Sequence, residues 1–271
     1  MPHDRRILTA LAILLGTSCL STESSLEPLP TGGHHVLFVG NSLTYTNDLP
    51  STVAAIAASA GDTIRVAMEA GADLALIDHL TGGTSAVARI AQGGWEYVVL
   101  QQGPTPAGIC RDSLVLWTKM FDAKIRAVGA KPAVLMVWPI IGVGPPFDDV
   151  RVSFQMATQA VNGVFLPAGE AWRAALRADS SIGVYGADGF HPSPTGTFLT
   201  ALEIYERVTG RDPRSLPPLA FSNGRPLSLP EATIRALQSA AHEANTTFPS
   251  TPGVAYVPSA SPSTPSYGSH C

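Results

Sequence analysis

His35-Val36-Leu37-Phe38-Val39, closed by Gly40, reads as a buried strand. A strand that is apolar along its whole length belongs in a sheet covered on both faces. The same pattern recurs downstream. Tyr97–Gln101 (YVVLQ) reads as a strong central strand, Ala133–Trp138 (AVLMVW) as the next, stopped by Pro139, and Val164–Leu166 as a short one. Thr63–Met68 (TIRVAM) alternates as a strand. Helical patterns separate these runs at Leu49–Ala60, Ala72–Leu80, Ser85–Gln92, Asp112–Val128, Asp149–Asn162, Pro194–Thr209 and Glu231–Ala244. Strands alternating with helices predict an α/β fold with a parallel sheet between helical layers. In such sheets ligands bind beyond the C-terminal strand ends. Residues that follow strands directly are therefore the ones to inspect for chemistry.

Gly40-Asn41-Ser42-Leu43-Thr44 follows the first strand. A serine in a tight strand-to-helix turn is presented outward with backbone N–H groups nearby, which suits a nucleophile whose product oxyanion needs donors. A helix cap would use the same residues. Far downstream comes Asp188-Gly189-Phe190-His191-Pro192-Ser193, just before a helix. An aspartate three residues ahead of a histidine lets one loop supply both the general base and the group that fixes its tautomer. Alone, it could equally be a surface turn.

The two segments together resemble the SGNH (GDSL-type) hydrolases, which carry Gly-Asp-Ser-Leu after the first strand and Asp-x-x-His before the last helix. The resemblance spans about His34 to Gly210. It implies a three-layer α/β/α sandwich on a parallel sheet of about five strands, flavodoxin-like. It also implies a catalytic triad of Ser42, Asp188 and His191, and no cofactor or metal. Asn41 stands where the family usually has aspartate. Gly71, in Glu69-Ala70-Gly71-Ala72, matches the glycine whose N–H joins that of Ser42 in the oxyanion hole. The family's Gly-x-Asn-Asp after the third strand is missing, and the chain reads Gln101-Gln102-Gly103-Pro104-Thr105 there. A glutamine amide donates the same bond. Gln101 or Gln102 is expected to replace the asparagine, with Gln101 preferred because it ends the strand. Thr105 falls near the asparagine's place. The implied activity is hydrolysis of small acyl esters, acetyl esters foremost, on small molecules or carbohydrates. An acyltransferase using the same triad and a non-catalytic surface lipoprotein remain as alternatives.

The rest of the 271-residue chain sets the context. Hydrophobic residues make up 45% and charged residues 14%, with a net charge of −4 and no basic stripe, so nucleic acid is not an expected partner. Arg5 and Arg6 precede an apolar run, Ile7–Leu15, too short to span a bilayer. Gly16, Thr17, Ser18 and then Cys19 resemble a bacterial lipoprotein signal, which implies export and a lipid on Cys19 that anchors the protein at a membrane surface. The expected organisation is a signal over 1–18, a tether over 19–33, the domain over 34–245 and a disordered Ser/Thr/Pro-rich tail over 246–271. Cys110 and Cys271 are free to pair in an exported compartment, but the tail position of Cys271 argues against a structural bridge. Trp138 is expected at the active edge, where it could line the acyl pocket. His79 and His242 are read as surface histidines, and His34 and His35 as strand-edge groups. Glu170 and Asp179 are alternative acids.

Overall fold

A computed structural model describes residues 32–253, so the signal segment, Cys19, most of the tether and most of the tail lie outside the described residues. Its first strand is β1 (His34–Gly40), in which Val36, Leu37, Phe38 and Val39 are fully buried. β2 (Ile64–Ala70) and β3 (Tyr97–Gln101) flank it, and β4 (Lys131–Leu135) and β5 (Val164–Leu166) extend the sheet. All pairs are parallel, in the order β2-β1-β3-β4-β5. The expected α/β architecture and five-stranded parallel sheet are both present.

The chain order reverses direction between β1 and β3. That switch opens a crevice at the strand ends, because the connections leave to opposite sides. Ser42 and Gln102 follow these two strands.

One face of the sheet is covered by α3 (Leu76–Leu80), α4 (Ala86–Ala91), α5 (Ile109–Ala127) and α6 (Phe147–Ala160). The other carries α2 (Leu49–Ser59), α7 (Ala168–Ala178), α8 (Pro194–Thr209) and α9 (Glu231–Thr247). A short helix, α1 (Ser42–Tyr45), and an antiparallel hairpin of β6 (Ala220–Ser222) and β7 (Arg225–Leu227) complete the set. The packed chain continues past Asn245, since α9 runs to Thr247 and the Ser250 carbonyl accepts the Phe165 N–H at 2.7 Å. Cys110 is disulfide-bonded, against the expectation of no structural bridge. The chain's other cysteines, Cys19 and Cys271, lie outside the described residues.

Glu203, on the inner face of α8, is an unusual core residue. It is fully buried and neither carboxyl oxygen has a partner. Burial pushes its carboxyl up to about 8, against the pull of Arg207. The folded protein thus holds a proton there that the unfolded chain releases above about 4.5. Stability from this site is complete below that lower value, falls as pH rises, and is exhausted as pH passes the upper one. Glu203→Gln keeps the shape without the ionisation cost. It should stabilise the fold by about 4 kcal/mol at pH 8 and by almost nothing at pH 4.5. Urea unfolding at the two pH values measures this, and equal midpoints for both proteins at pH 8 would contradict it.

Candidate active site

The turn after β1 is built from interlocking short-range contacts. Asn41 is extended and N-caps α1, its Oδ1 accepting the Leu43 N–H at 3.1 Å. Its Nδ2 donates to the Leu74 carbonyl at 3.1 Å. An aspartate could make the first bond but not the second, so the asparagine ties the Ser42 turn to the loop after β2. Behind the turn, Gln101 Oε1 accepts both the Asn41 N–H and the Thr44 hydroxyl at 2.8 Å. Gly40 must be glycine here, because a Cβ would meet Gln101 Oε1 at 2.4 Å and Thr44 Oγ1 at 2.5 Å. Ser42 is left with its hydroxyl at the crevice.

The second loop closes on itself. Asp188 Oδ1 accepts the N–H groups of Phe190 at 3.0 Å and His191 at 2.9 Å. The Gly186 N–H donates to the His191 carbonyl at 2.7 Å. Ser193 caps α8 by accepting the Gly196 N–H. Trp138 donates from Nε1 to the Phe190 carbonyl at 2.8 Å and stacks on Trp172 with ring centres 3.4 Å apart. It is buried beneath the loop and does not line the cleft, contrary to the expected pocket-wall role. Asn47 bridges the two segments, donating to the Pro192 carbonyl at 2.8 Å.

These supports bring three expected residues together across 149 positions of sequence. His191 Nε2 lies 2.9 Å from Ser42 Oγ, and His191 Nδ1 lies 2.5 Å from Asp188 Oδ2. The carboxylate selects the tautomer with the proton on Nδ1, which leaves Nε2 to accept from the serine hydroxyl. The His191 hydrogen bond, helped by the Phe190 N–H, lowers the Asp188 carboxyl to about 2. It is therefore ionised throughout the neutral and mildly acidic range. Ser42 sits on a cleft of about 270 Å³, lined also by Asp73, Leu74, Gln102, Gly103 and Phe190.

The remaining expected site residues divide. Gln102 lines the cleft beside Ser42, with its Oε1 accepting the Leu76 N–H at 3.0 Å. Gln101 does not line it. Its Oε1 faces the turn, and its Nε2 is buried without a partner. The Gly71 N–H donates to the Gly40 carbonyl over a long 3.3 Å. Thr105 is buried and donates to the Gly103 carbonyl. Glu170 pairs with Arg151 at 3.2 Å, and Asp179 accepts from Ser181, so neither acid bonds His191. His34 pairs with Glu96 at 2.7 Å. His242 pairs with Glu206 at 2.6 Å, and these two with Asp212 form a carboxylate–imidazole cluster whose polar atoms are already engaged with protein partners. A larger hollow of about 580 Å³ lies at the starting ends of β3, β4 and β5 and holds none of the expected catalytic residues.

Two residues near the turn and cleft escaped the sequence reading. Asp73 stands in the left-handed region at φ 57° on the cleft wall, and nothing in its local sequence marks it. His79 is fully buried rather than on the surface. The signal was its place three residues after Leu76 on the inward face of α3.

No family model matches the chain. Among solved structures it is similar to a DUF4886 family protein from Bacteroides uniformis ATCC 8492, with a TM-score of 0.65 and 17% identity over 78% of this chain and 94% of that one. A provisionally assigned SGNH hydrolase from Slackia heliotrinireducens aligns with a TM-score of 0.53 and 27% identity, covering 65% of this chain and 99% of its own. The chain has the fold of the SGNH-type hydrolases. The resemblance drawn from GNSL and DGFH is thereby borne out, and the five-stranded SGNH sheet explains why those motifs follow a first strand and precede a late helix. Among curated proteins, the chain is also similar to a probable cobalt/nickel-exporting P-type ATPase of Mycobacterium tuberculosis (strain ATCC 25618 / H37Rv) and to its namesake in Mycobacterium bovis. Identity there is 32% over 151 residues, which is 55% of this chain and 19% of each relative. The chain spans about a fifth of the length of those curated relatives. Among the described residues no helix is long and apolar enough to cross a membrane.

Proposed function

We propose that the protein is a serine esterase that hydrolyses small acyl esters, acetyl esters foremost. The observation that carries this reading is the unbroken Asp188–His191–Ser42 chain of hydrogen bonds opening on a small cleft. In the proposed reaction His191 Nε2 takes the Ser42 proton as Oγ attacks the ester carbonyl. The oxyanion is met by the Ser42 N–H, which has no acceptor among the described residues, and by the Gln102 amide. His191 then passes its proton to the alcohol oxygen as the ester C–O bond breaks. Water, deprotonated by the same nitrogen, releases the acid from the acyl-serine. The Gly71 N–H can join the hole only by leaving the Gly40 carbonyl.

A cleft of this size favours short acyl groups. Among the described residues Asp73 makes no hydrogen bond or ion pair, and its exposed carboxylate suits an alcohol part rich in hydroxyl donors, as in a carbohydrate. The test is a screen of purified protein against nitrophenyl esters of graded length and against acetylated sugars. The reading expects hydrolysis that is greatest at the shortest chains. Equal rates for wild type and a folded Ser42→Ala variant would count against it.

The same reading places the enzyme outside the cytoplasm, anchored by a lipid on Cys19. Its support is the order of Arg pair, apolar run, small residues and cysteine, together with the disulfide at Cys110, which oxidising compartments favour. Mass spectrometry of the mature N-terminus should find a lipidated Cys19. An intact Met1 would sink export, and an unmodified N-terminus elsewhere would sink lipidation alone.

A further inference from the structure

His79 is a fully buried histidine that the proposed reaction does not use. Its Nε2 lies 3.0 Å from the Gly40 carbonyl and its Nδ1 2.8 Å from Thr84 Oγ1. A carbonyl can only accept, so Nε2 carries the proton. On a neutral ring Nδ1 is then an acceptor, and the Thr84 hydroxyl donates to it. Burial holds the ring's proton affinity below that of an ordinary histidine, against the pull of Gly40, Asp78 and Glu69. Thr84 Oγ1 also accepts the Ala86 N–H at 3.2 Å. A hydrogen-bonded line therefore runs from the start of α4 through His79 to the last residue of β1.

That last residue is the base of the nucleophile turn. The Gly40 carbonyl has two donors, the His79 ring at 3.0 Å and the Gly71 N–H at 3.3 Å. On its other side the turn is held by Gln101 through the Asn41 N–H and Thr44. Of the two donors at Gly40, the histidine is the shorter and comes from a side chain with no freedom to move.

We propose that His79 is a positioning residue for Ser42: its Nε2–H fixes the Gly40 carbonyl, and with it the turn from which the nucleophile and its N–H project. The arrangement has a second effect. With the carbonyl satisfied by His79, the long Gly71 bond can be given up at little cost, which releases the Gly71 N–H toward an oxyanion. Burying an imidazole with both nitrogens satisfied is a costly way to fill space that a leucine would fill. This inference rests on the esterase reading.

Two amides separate its parts. In glutamine the amide nitrogen reaches the place of Nε2, and in asparagine only that of Nδ1. His79→Gln keeps the donor to Gly40, whereas His79→Asn keeps only a partner for Thr84. The full chain is assayed for kcat and KM on a nitrophenyl ester, for the rate at which a fluorophosphonate labels Ser42, and for melting temperature. The glutamine variant should stay within about threefold of wild-type kcat, and the asparagine variant should lose about 10–100-fold in kcat and labelling rate with KM nearly unchanged. Equal kcat and labelling in the two variants overturn the proposal while a labelled wild type keeps the esterase reading intact. A wild type that takes no phosphonate on Ser42 overturns the esterase reading and this one with it. Should the asparagine variant not fold, ring nitrogen NMR of the wild type decides: a proton on Nε2 is expected, and a proton on Nδ1 overturns the assignment.

Discussion

Ser42→Ala is expected to abolish esterase turnover by about four to six orders of magnitude, with the protein still folded. His191→Ala should cost about as much, and the double variant little more than either, because a nucleophile without its base is as inert as a base without its nucleophile. Among the described residues, removing the Ser42 hydroxyl breaks only the 2.9 Å bond to His191. Its loss should thus leave the melting temperature almost unchanged. Asp188→Asn is the more discriminating variant. An asparagine can still hold the loop N–H groups, but it no longer favours the required tautomer or balances the imidazolium. Turnover should fall about 10⁴-fold. Near wild-type turnover in a folded Asp188→Asn protein would remove the aspartate from the mechanism.

Gln102→Ala is expected to lower kcat by about 100–1,000-fold, or roughly 3–4 kcal/mol of transition-state stabilisation, with a much smaller change in KM. The side chain borders Ser42 and its oxygen accepts the Leu76 N–H, so a donor role toward a substrate would fall to its amide nitrogen. Gln101→Ala should behave differently. It removes the acceptor of both the Asn41 N–H and the Thr44 hydroxyl, so its signature should be a lower melting temperature as well as slower turnover. Kinetics and melting of the two variants separate a donor to the oxyanion from a support for the turn. Full turnover in folded Gln102→Ala would leave a hole made of backbone donors alone.

The difference between these neighbours marks where the sequence stops being informative. Alternation along a strand puts Gln101 and Gln102 on opposite sides, so only one could face the cleft. Which one depends on where Asn41 and Thr44 sit on the adjacent strand's turn, and that is a contact between segments 57 and 60 residues apart. The strands themselves were legible because parallel strands are apolar throughout. Even so, Ala133–Trp138 overshoots β4, which ends at Leu135. Met136 and Val137 are as buried as the strand before them, and the Met136 N–H still bonds the Leu166 carbonyl at 2.9 Å, so hydropathy does not mark where the strand stops. α7 was also unread, although its faces differ clearly: Ala168, Ala171, Trp172 and Ala175 are buried, whereas Arg173 and Arg177 are exposed. The Ser42, Asp188 and His191 positions were readable because each lies in a short motif with its own local geometry. His79 and Asp73 act only through what the fold brings beside them.

Trp138 and Trp172 stack nearly parallel, 8° apart, directly under the loop that carries His191, and the upper indole is tied to the Phe190 carbonyl. Two indoles at that separation share their electronic transitions, so the pair should produce a paired positive and negative band in near-ultraviolet circular dichroism that neither ring gives alone. A shift of the histidine loop changes the relative tilt of the rings, and hence the sign or amplitude of that couplet. The protein thus contains a built-in optical gauge of its own histidine loop, readable without a label or a substrate.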